Sequence, residues 1–281
     1  WGVQWERYGP NVSCIGSPLA GATLEQIADY DWPDPEKYFD FELMKSRLAM
    51  LKKEYPTHAI GARAVNSYGP FEQAADLRSR VEFYMDTIDK PDVAQLIIEK
   101  TTDVIVRGQE IYLDVVGKDI DFLEVPGDDY GSNETLMVPP DTFRNLFKPA
   151  LTRIIQSVKD YRSDLPVVFH SDGAITEIIP DLVEIGLDIL NPLEPLPVTD
   201  WVAIKEEYGQ QLCFMGGIDI RKALPGPVEG IIEEVKKQIS IFGPGGGYLL
   251  TSANHMQIDV PPENIVAMFD TGHEFGRYPL G

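Results

Sequence analysis

Several chemically capable residues stand directly after short apolar runs. His170-Ser171-Asp172-Gly173 follows Val167, Val168 and Phe169, and Asn191-Pro192-Leu193-Glu194-Pro195 follows Ile189 and Leu190. Thr251-Ser252-Ala253-Asn254-His255 follows Leu249 and Leu250. Together His170, Asp172, Glu194 and His255 offer two imidazoles and two carboxylates. That is enough to hold a mononuclear Zn²⁺ with one position open. Each has a plainer employment: His170 as a hydrogen-bonded histidine at a strand end, His255 as a substrate contact that needs no metal, Glu194 as a structural acid between two prolines. Asp128 and Asp129 form a second pair. One can raise the pKa of the other for general acid/base work, or they can cap the turn and helix that follow. Asp128, Asp129 and His255 are therefore the catalytic candidates. Asn66, Tyr68, Tyr130, Asn191, Gly217 and Asp219 are the substrate-facing ones. Gly216-Gly217 allows close backbone approach to a ligand, and Asp219 is placed to cap the next element.

The elements that must position these residues alternate along the chain. Strands are expected at 58–65, 120–125, 166–170, 187–191, 211–215 and 247–251. Between them run helix-period stripes: Val93, Leu96, Ile97 and Val104 after Pro91; Phe143 to Val158 with a kink at Pro149; Ile175 to Val183 stopped by Gly186; Val228 to Ile239; and a last helix opened by Pro261 and Pro262. Strand, loop and helix in repetition specify an α/β fold with a parallel sheet. The continuous apolar strands fit a sheet covered on both faces. No Gly-x-Gly-x-x-Gly follows an early strand, so dinucleotide binding has little support. Gly243-Pro244-Gly245-Gly246-Gly247 precedes a strand and reads as a helix-to-strand turn. In such folds ligands sit at the carboxyl ends of the strands, where the polar clusters lie.

The chain has 281 residues and a formal charge of −21. That balance argues against nucleic acid and anionic membranes as partners, since both need basic patches. It also argues against a substrate rich in carboxylates. No apolar run reaches the roughly 18 residues of a membrane span. Two cysteines, Cys14 and Cys213, are too few for a disulfide framework and read as buried apolar residues in a reducing, cytoplasmic protein. Trp1, Trp5, Trp32 and Trp201 scatter and support no stacking platform. The acids in 25–42 read as a solvated surface with helix-start charges, and Asp31-Trp32-Pro33-Asp34-Pro35 as a turn into a helix.

The stretches VPGDDYGSNETLMVPPDTFRNLFKPAL, VVFHSDGAITEIIPDLVEIGLDILNPLEP, LCFMGGIDIRKAL and GGGYLLTSANHMQIDVPPENIVAMF, in this order, resemble the uroporphyrinogen decarboxylase superfamily. The superfamily includes corrinoid-dependent methyltransferases. The resemblance implies a single (β/α)₈ TIM barrel domain over 1–281, with the barrel core at 56–281 and a looser part at 1–55. It also implies an early barrel strand preceding Trp1. In its thiol-methyltransferase branch a His-x-Cys motif and a later Cys bind zinc. Here Asp172 stands at the first Cys position, and 252–255 contains no Cys. This departs from that branch and points away from coenzyme M as acceptor. The harder oxygen and nitrogen set suits an ether or alcohol substrate. With His-Ser-Asp-Gly the chain looks like the methyltransferase component of an O-demethylase system. The expected function is zinc-assisted transfer of a methyl group from a small methoxylated or methylated substrate to a corrinoid on a partner protein. The alternative is decarboxylation in tetrapyrrole biosynthesis, which needs basic residues around the substrate: Arg63, Arg221 and Lys222 are the visible ones. A third reading is a non-catalytic corrinoid-handling or sensor protein.

Overall fold

The computed structural model describes residues 1–9, 11–63 and 65–280. The expected strand 58–65 includes Ala64, which lies outside them. The chain falls into two compact units, Trp1–Asp128 with Val138–Val167, and Asp129–Met137 with Val168–Gly281.

The first unit opens with an antiparallel hairpin, β1 (Gln4–Tyr8) and β2 (Asn11–Gly16), which the alternating apolar pattern did not foreshadow. A short helix α1 (Leu24–Ala28) starts at Thr23, which forms a reciprocal capping box with Gln26. The acidic segment after it makes the expected turn: Asp34 caps a single 3₁₀ turn at Pro35–Lys37 before α2 (Phe41–Glu54). Trp1 and Trp32, read as scattered, meet edge to face at 6.4 Å. β3 (Gly61–Arg63) pairs in parallel with β4 (Phe122–Glu124), and between them run α3 (Pro70–Arg78), α4 (Arg80–Asp89) and the long α5 (Pro91–Val116). The kink expected at Pro149 takes a specific form. α6 (Pro140–Thr142) passes into a π-helical turn at Phe143–Phe147 before α7 (Lys148–Tyr161). Proline lacks an amide hydrogen, so the ladder is broken there, and Lys148 N–H reaches back five residues to Phe143 O. Phe71, Phe83 and Phe147 cluster in the core, Phe71 and Phe147 at 4.9 Å between ring centres. Buried Arg78 donates to Leu19 O and Ala22 O while pairing with Asp86, which ties the segment before α1 to α3 and α4.

The second unit is the alternation read from the sequence. β5 (Val167–His170), β6 (Ile189–Asn191), β7 (Cys213–Ile218) and β8 (Tyr248–Ser252) are parallel neighbours in that order. Consecutive strands are joined by α8 (Ile179–Glu184), α9 (Trp201–Tyr208) and α10 (Val228–Phe242), and α11 (Pro262–Phe275) follows β8 and packs on α10. Gly243–Gly247 forms the expected helix-to-strand turn, with positive φ at Gly245, Gly246 and Gly247. Ile218, Leu224, Ile231, Val235 and Met268 fill the core between β7, α10 and α11. Cys14 and Cys213 are both free and only half-buried, less enclosed than expected. Each of the six expected strands forms, shortened or shifted by a few residues. Among the described residues the parallel sheet has six strands, in the order β3 to β8, where a closed barrel has eight. Among the described residues no helix is long and apolar enough to cross a membrane.

Candidate functional site

The chemistry gathers at the carboxyl ends of β5 to β8, within the second unit. β5 is apolar and buried up to Phe169, then turns polar at His170. In the parallel register His170 stands opposite Asn191 of β6. Partners in register project to the same face, so the two side chains meet. Their Nδ1 and Oδ1 atoms lie 2.6 Å apart, and Asn191 Nδ2 donates to Met215 O of β7 at 3.0 Å. Past the strand end, Asp172 N–H donates to Asp129 Oδ1 at 2.9 Å and Tyr130 N–H to buried Ser171 Oγ at 3.1 Å. These bonds lace the 129–137 loop to the 171–174 turn. The two backbones approach so closely that a Cβ on Gly131 would fall 2.5 Å from Ala174 N, and one on Gly173 2.3 Å from Gly131 C. Gly173 also has φ +89°, so glycine is required there twice over.

The result is a donor cluster of Asp129, His170 and Asp172, whose ligand atoms all lie within 4.8 Å of one another. His170 Nε2 is 3.5 Å from Asp172 Oδ1 and 3.8 Å from Asp129 Oδ1. Burial by itself would lower the imidazole pKa. The hydrogen bond and charge of Asp172, the Asn191 amide and the charge of Asp129 outweigh it and raise the value to about 9. Asp172 Oδ2 accepts from Asn254 Nδ2, whereas buried Asp172 Oδ1 has the His170 ring nitrogen 3.5 Å away and no closer hydrogen-bond partner. Such an atom is costly unless a cation or a proton reaches it. An imidazole nitrogen and two carboxylates fit Zn²⁺ with one position open.

The expected four-ligand set is thus regrouped. His170 and Asp172 come together, and Asp129, read as an acid/base residue, joins them. Glu194 is committed elsewhere: it accepts from Gly173 N–H at 3.0 Å and pairs with Arg221 at 3.3 Å. His255 is exposed and stands outside the donor cluster; the strand end sends Asn254 to Asp172 instead. Asp128 is fully buried and accepts from Phe71 N–H and Glu72 N–H at 2.8 and 2.9 Å, capping α3 in the first unit. Tyr130 is fully buried against Phe169, so its ring is core rather than surface. Gly216 packs against protein backbone rather than a ligand, since a Cβ there would fall 1.8 Å from Pro192 O. Gly217 N–H donates to that same oxygen, and Asp219 caps the following turn through Arg221 and Lys222 N–H. In the first unit Asn66 and Tyr68 line a cavity of about 450 Å³ with Trp1, Trp5 and Gln73. Two of the three basic residues are engaged in ion pairs: Arg63 pairs with Glu124 and Arg221 with Glu194. Sequence reasoning missed Asn254, which is one residue before the histidine it chose, and Ser171, hidden inside the motif it did choose.

A family model described as uroporphyrinogen decarboxylase (URO-D) matches residues 12–275. A uroporphyrinogen decarboxylase from Salinibacter ruber is 27% identical over 188 residues, covering 67% of this chain and 49% of that protein. One from Legionella pneumophila (strain Paris) is 24% identical over 143 residues, covering 49% and 38%. The chain spans about half, or less, of the length of these curated relatives. A solved methyltransferase from Methanosarcina mazei matches with a TM-score of 0.74 over 98% of this chain and 76% of that one, at 21% identity, which shows a shared fold.

Proposed function

Because the chain belongs to the uroporphyrinogen decarboxylase family, we propose that it is a methyltransferase of that family. It would move a methyl group from a small methoxylated or methylated substrate to a corrinoid on a partner protein, within a (β/α)₈ barrel to which the six parallel strands belong. The observation that carries this reading is the convergence of the Asp129, His170 and Asp172 ligand atoms within 4.8 Å of one another. Asp129, His170 and Asp172 would hold zinc. Bound there, zinc supplies a Lewis acid that neutralises the oxygen left behind when the C–O bond breaks, and the corrinoid supplies the acceptor for the methyl group. The shared fold with a solved methyltransferase supports the same reading.

The chain's own residues contribute orientation and charge. The Asp172 N–H bond holds Asp129 beside His170. Asn191 anchors the imidazole from one side, and Asn254 anchors the Asp172 carboxylate from the other. Glu194 and Arg221 neutralise each other, so the surroundings of the cluster remain acidic. Such surroundings repel a substrate carrying many carboxylates.

A second reading, decarboxylation of a tetrapyrrole carboxylate, is favoured by the names of the relatives at 24–27% identity and by the proton His170 holds at neutral pH. Metal analysis of protein purified without chelator or histidine tag, followed by incubation with a methoxylated aromatic and a free reduced corrinoid, separates the two. Near-stoichiometric zinc that is lost in His170→Ala, with demethylated product, is the expected outcome. Absence of zinc after incubation with excess metal, together with CO₂ release from a tetrapyrrole carboxylate, would overturn it.

A further inference from the structure

Two of the three donor residues of the cluster, His170 and Asp172, have their working atom selected by an asparagine behind them. Met215 O can only accept a hydrogen bond, so the Asn191 amide must turn its Nδ2 toward that carbonyl. Its Oδ1 is then left facing His170 Nδ1 at 2.6 Å, and a carbonyl oxygen there demands a proton on Nδ1. The remaining ring nitrogen, Nε2, is the one beside Asp129 and Asp172. The same logic runs on the other side. His255 N–H can only donate, so it fixes Asn254 Oδ1 at 2.6 Å, and Asn254 Nδ2 is turned to Asp172 Oδ2. Asp172 Oδ1 is the atom left over, and it faces the same centre as Nε2. Both amides are anchored on backbone groups whose hydrogen-bonding sense is fixed, so neither can flip without losing two bonds.

We propose that Asn191 and Asn254 are positioning residues that assign Nε2 of His170 and Oδ1 of Asp172 as the working atoms of the cluster, Asn191 by holding the imidazole in its Nδ1–H tautomer. Asn191, read from the sequence as a substrate contact, has both ends of its amide engaged in this relay across β5, β6 and β7. The inference rests on the reading of the cluster as a metal site, but the tautomer is observable without metal. Metal-ligating histidines depend on such partners, and losing one costs about 10–100-fold in metal affinity.

The test is long-range ¹H–¹⁵N spectroscopy of the His170 ring in the metal-free protein, at a pH where the imidazole is neutral, alongside zinc titration. The wild type should show a slowly exchanging proton coupled to Nδ1. Asn191→Asp, which keeps the acceptor, should retain it. Asn191→Leu should lose the protected proton and bind zinc about 10–100-fold more weakly. Asn254→Ala should weaken zinc binding and leave the tautomer unchanged. A proton on Nε2 in the wild type overturns the proposal, and needs no variant to fold. So does a folded Asn191→Leu protein that keeps the Nδ1 proton and the wild-type affinity. A wild type that shows the Nδ1 proton but takes up no zinc supports the assignment by Asn191 while overturning the metal reading.

Discussion

Asp128 and Asp129 are neighbours in the chain with opposite employments. In the first unit Asp128 is fully enclosed, and its two oxygens accept the first free N–H groups of α3. Gly69, at the N-cap of that helix, has no side chain to do so. A negative charge there also opposes the positive end of the helix dipole. In the second unit the Asp129 side chain keeps about a third of its surface and faces an imidazole that is shared with Asp172. Both are acids after a strand. What separates them is the donor each meets. Backbone amides of a helix end hold a carboxylate in place and leave it no chemistry, whereas a titrating imidazole and a second carboxylate leave a centre whose charge and proton can change.

The contrast can be broken by substitution. The largest expected effect is on metal binding. His170→Ala removes one of three donors, so zinc affinity measured by competition with a chelator should fall by more than the roughly 100-fold seen for losing a mere supporting partner. Asp128→Ala comes next, with the opposite signature. It leaves two helix N–H groups buried and unpaired, so stability measured by urea denaturation should fall by about 2 kcal/mol, while zinc affinity of the folded fraction is unchanged. If Asp128→Ala abolished zinc binding in folded protein, the division of labour between the two acids would be wrong.

The pH dependence sharpens the same point. His170 is held at about 9, above its ordinary 6.5. The charged form is therefore stabilised by folding. Its contribution is complete below pH 6.5 and is lost as pH rises through 9, amounting to at most about 3 kcal/mol. Denaturation of metal-free protein across that window should show the loss, and His170→Asn should flatten it. Zinc competes with the same proton, so affinity should rise over the same window. The smallest effect is expected at Arg221→Ala. The pair with Glu194 is half-exposed on the arginine side, and its loss should cost less than about 1 kcal/mol in the same denaturation assay.

Much of the second unit was legible in the sequence. The strands at 166–170, 187–191, 211–215 and 247–251 read as short apolar runs because buried parallel strands are apolar on both faces. Pro149 announced the break in its helix, and Gly186 the end of another, because each constrains the backbone locally. The first unit was less legible. The β1–β2 hairpin is exposed along β1, and its alternation, as at Val12-Ser13-Cys14, runs for only a few residues, too short for periodicity to single it out. At the site, the motif His170-Ser171-Asp172 was visible, but its partners were not. Glu194 and His255 were chosen for their chemistry, and they stand where another bond already claims them or where the side chain is exposed.

What the sequence by itself determined is the order of the six parallel strands, the polar residues at the strand ends and the acidic balance of the chain. These follow from local period and composition, which are properties of neighbouring residues. Only the tertiary structure decided that Asp129 and not Glu194 joins His170 and Asp172, that Asn254 and not His255 reaches Asp172, and that Asp128 caps a helix 57 residues earlier. Those choices depend on strand register and on which backbone amides come within 3 Å of a carboxylate. Neither is encoded by residue type or spacing, because a parallel register joins residues from separate turns of the fold.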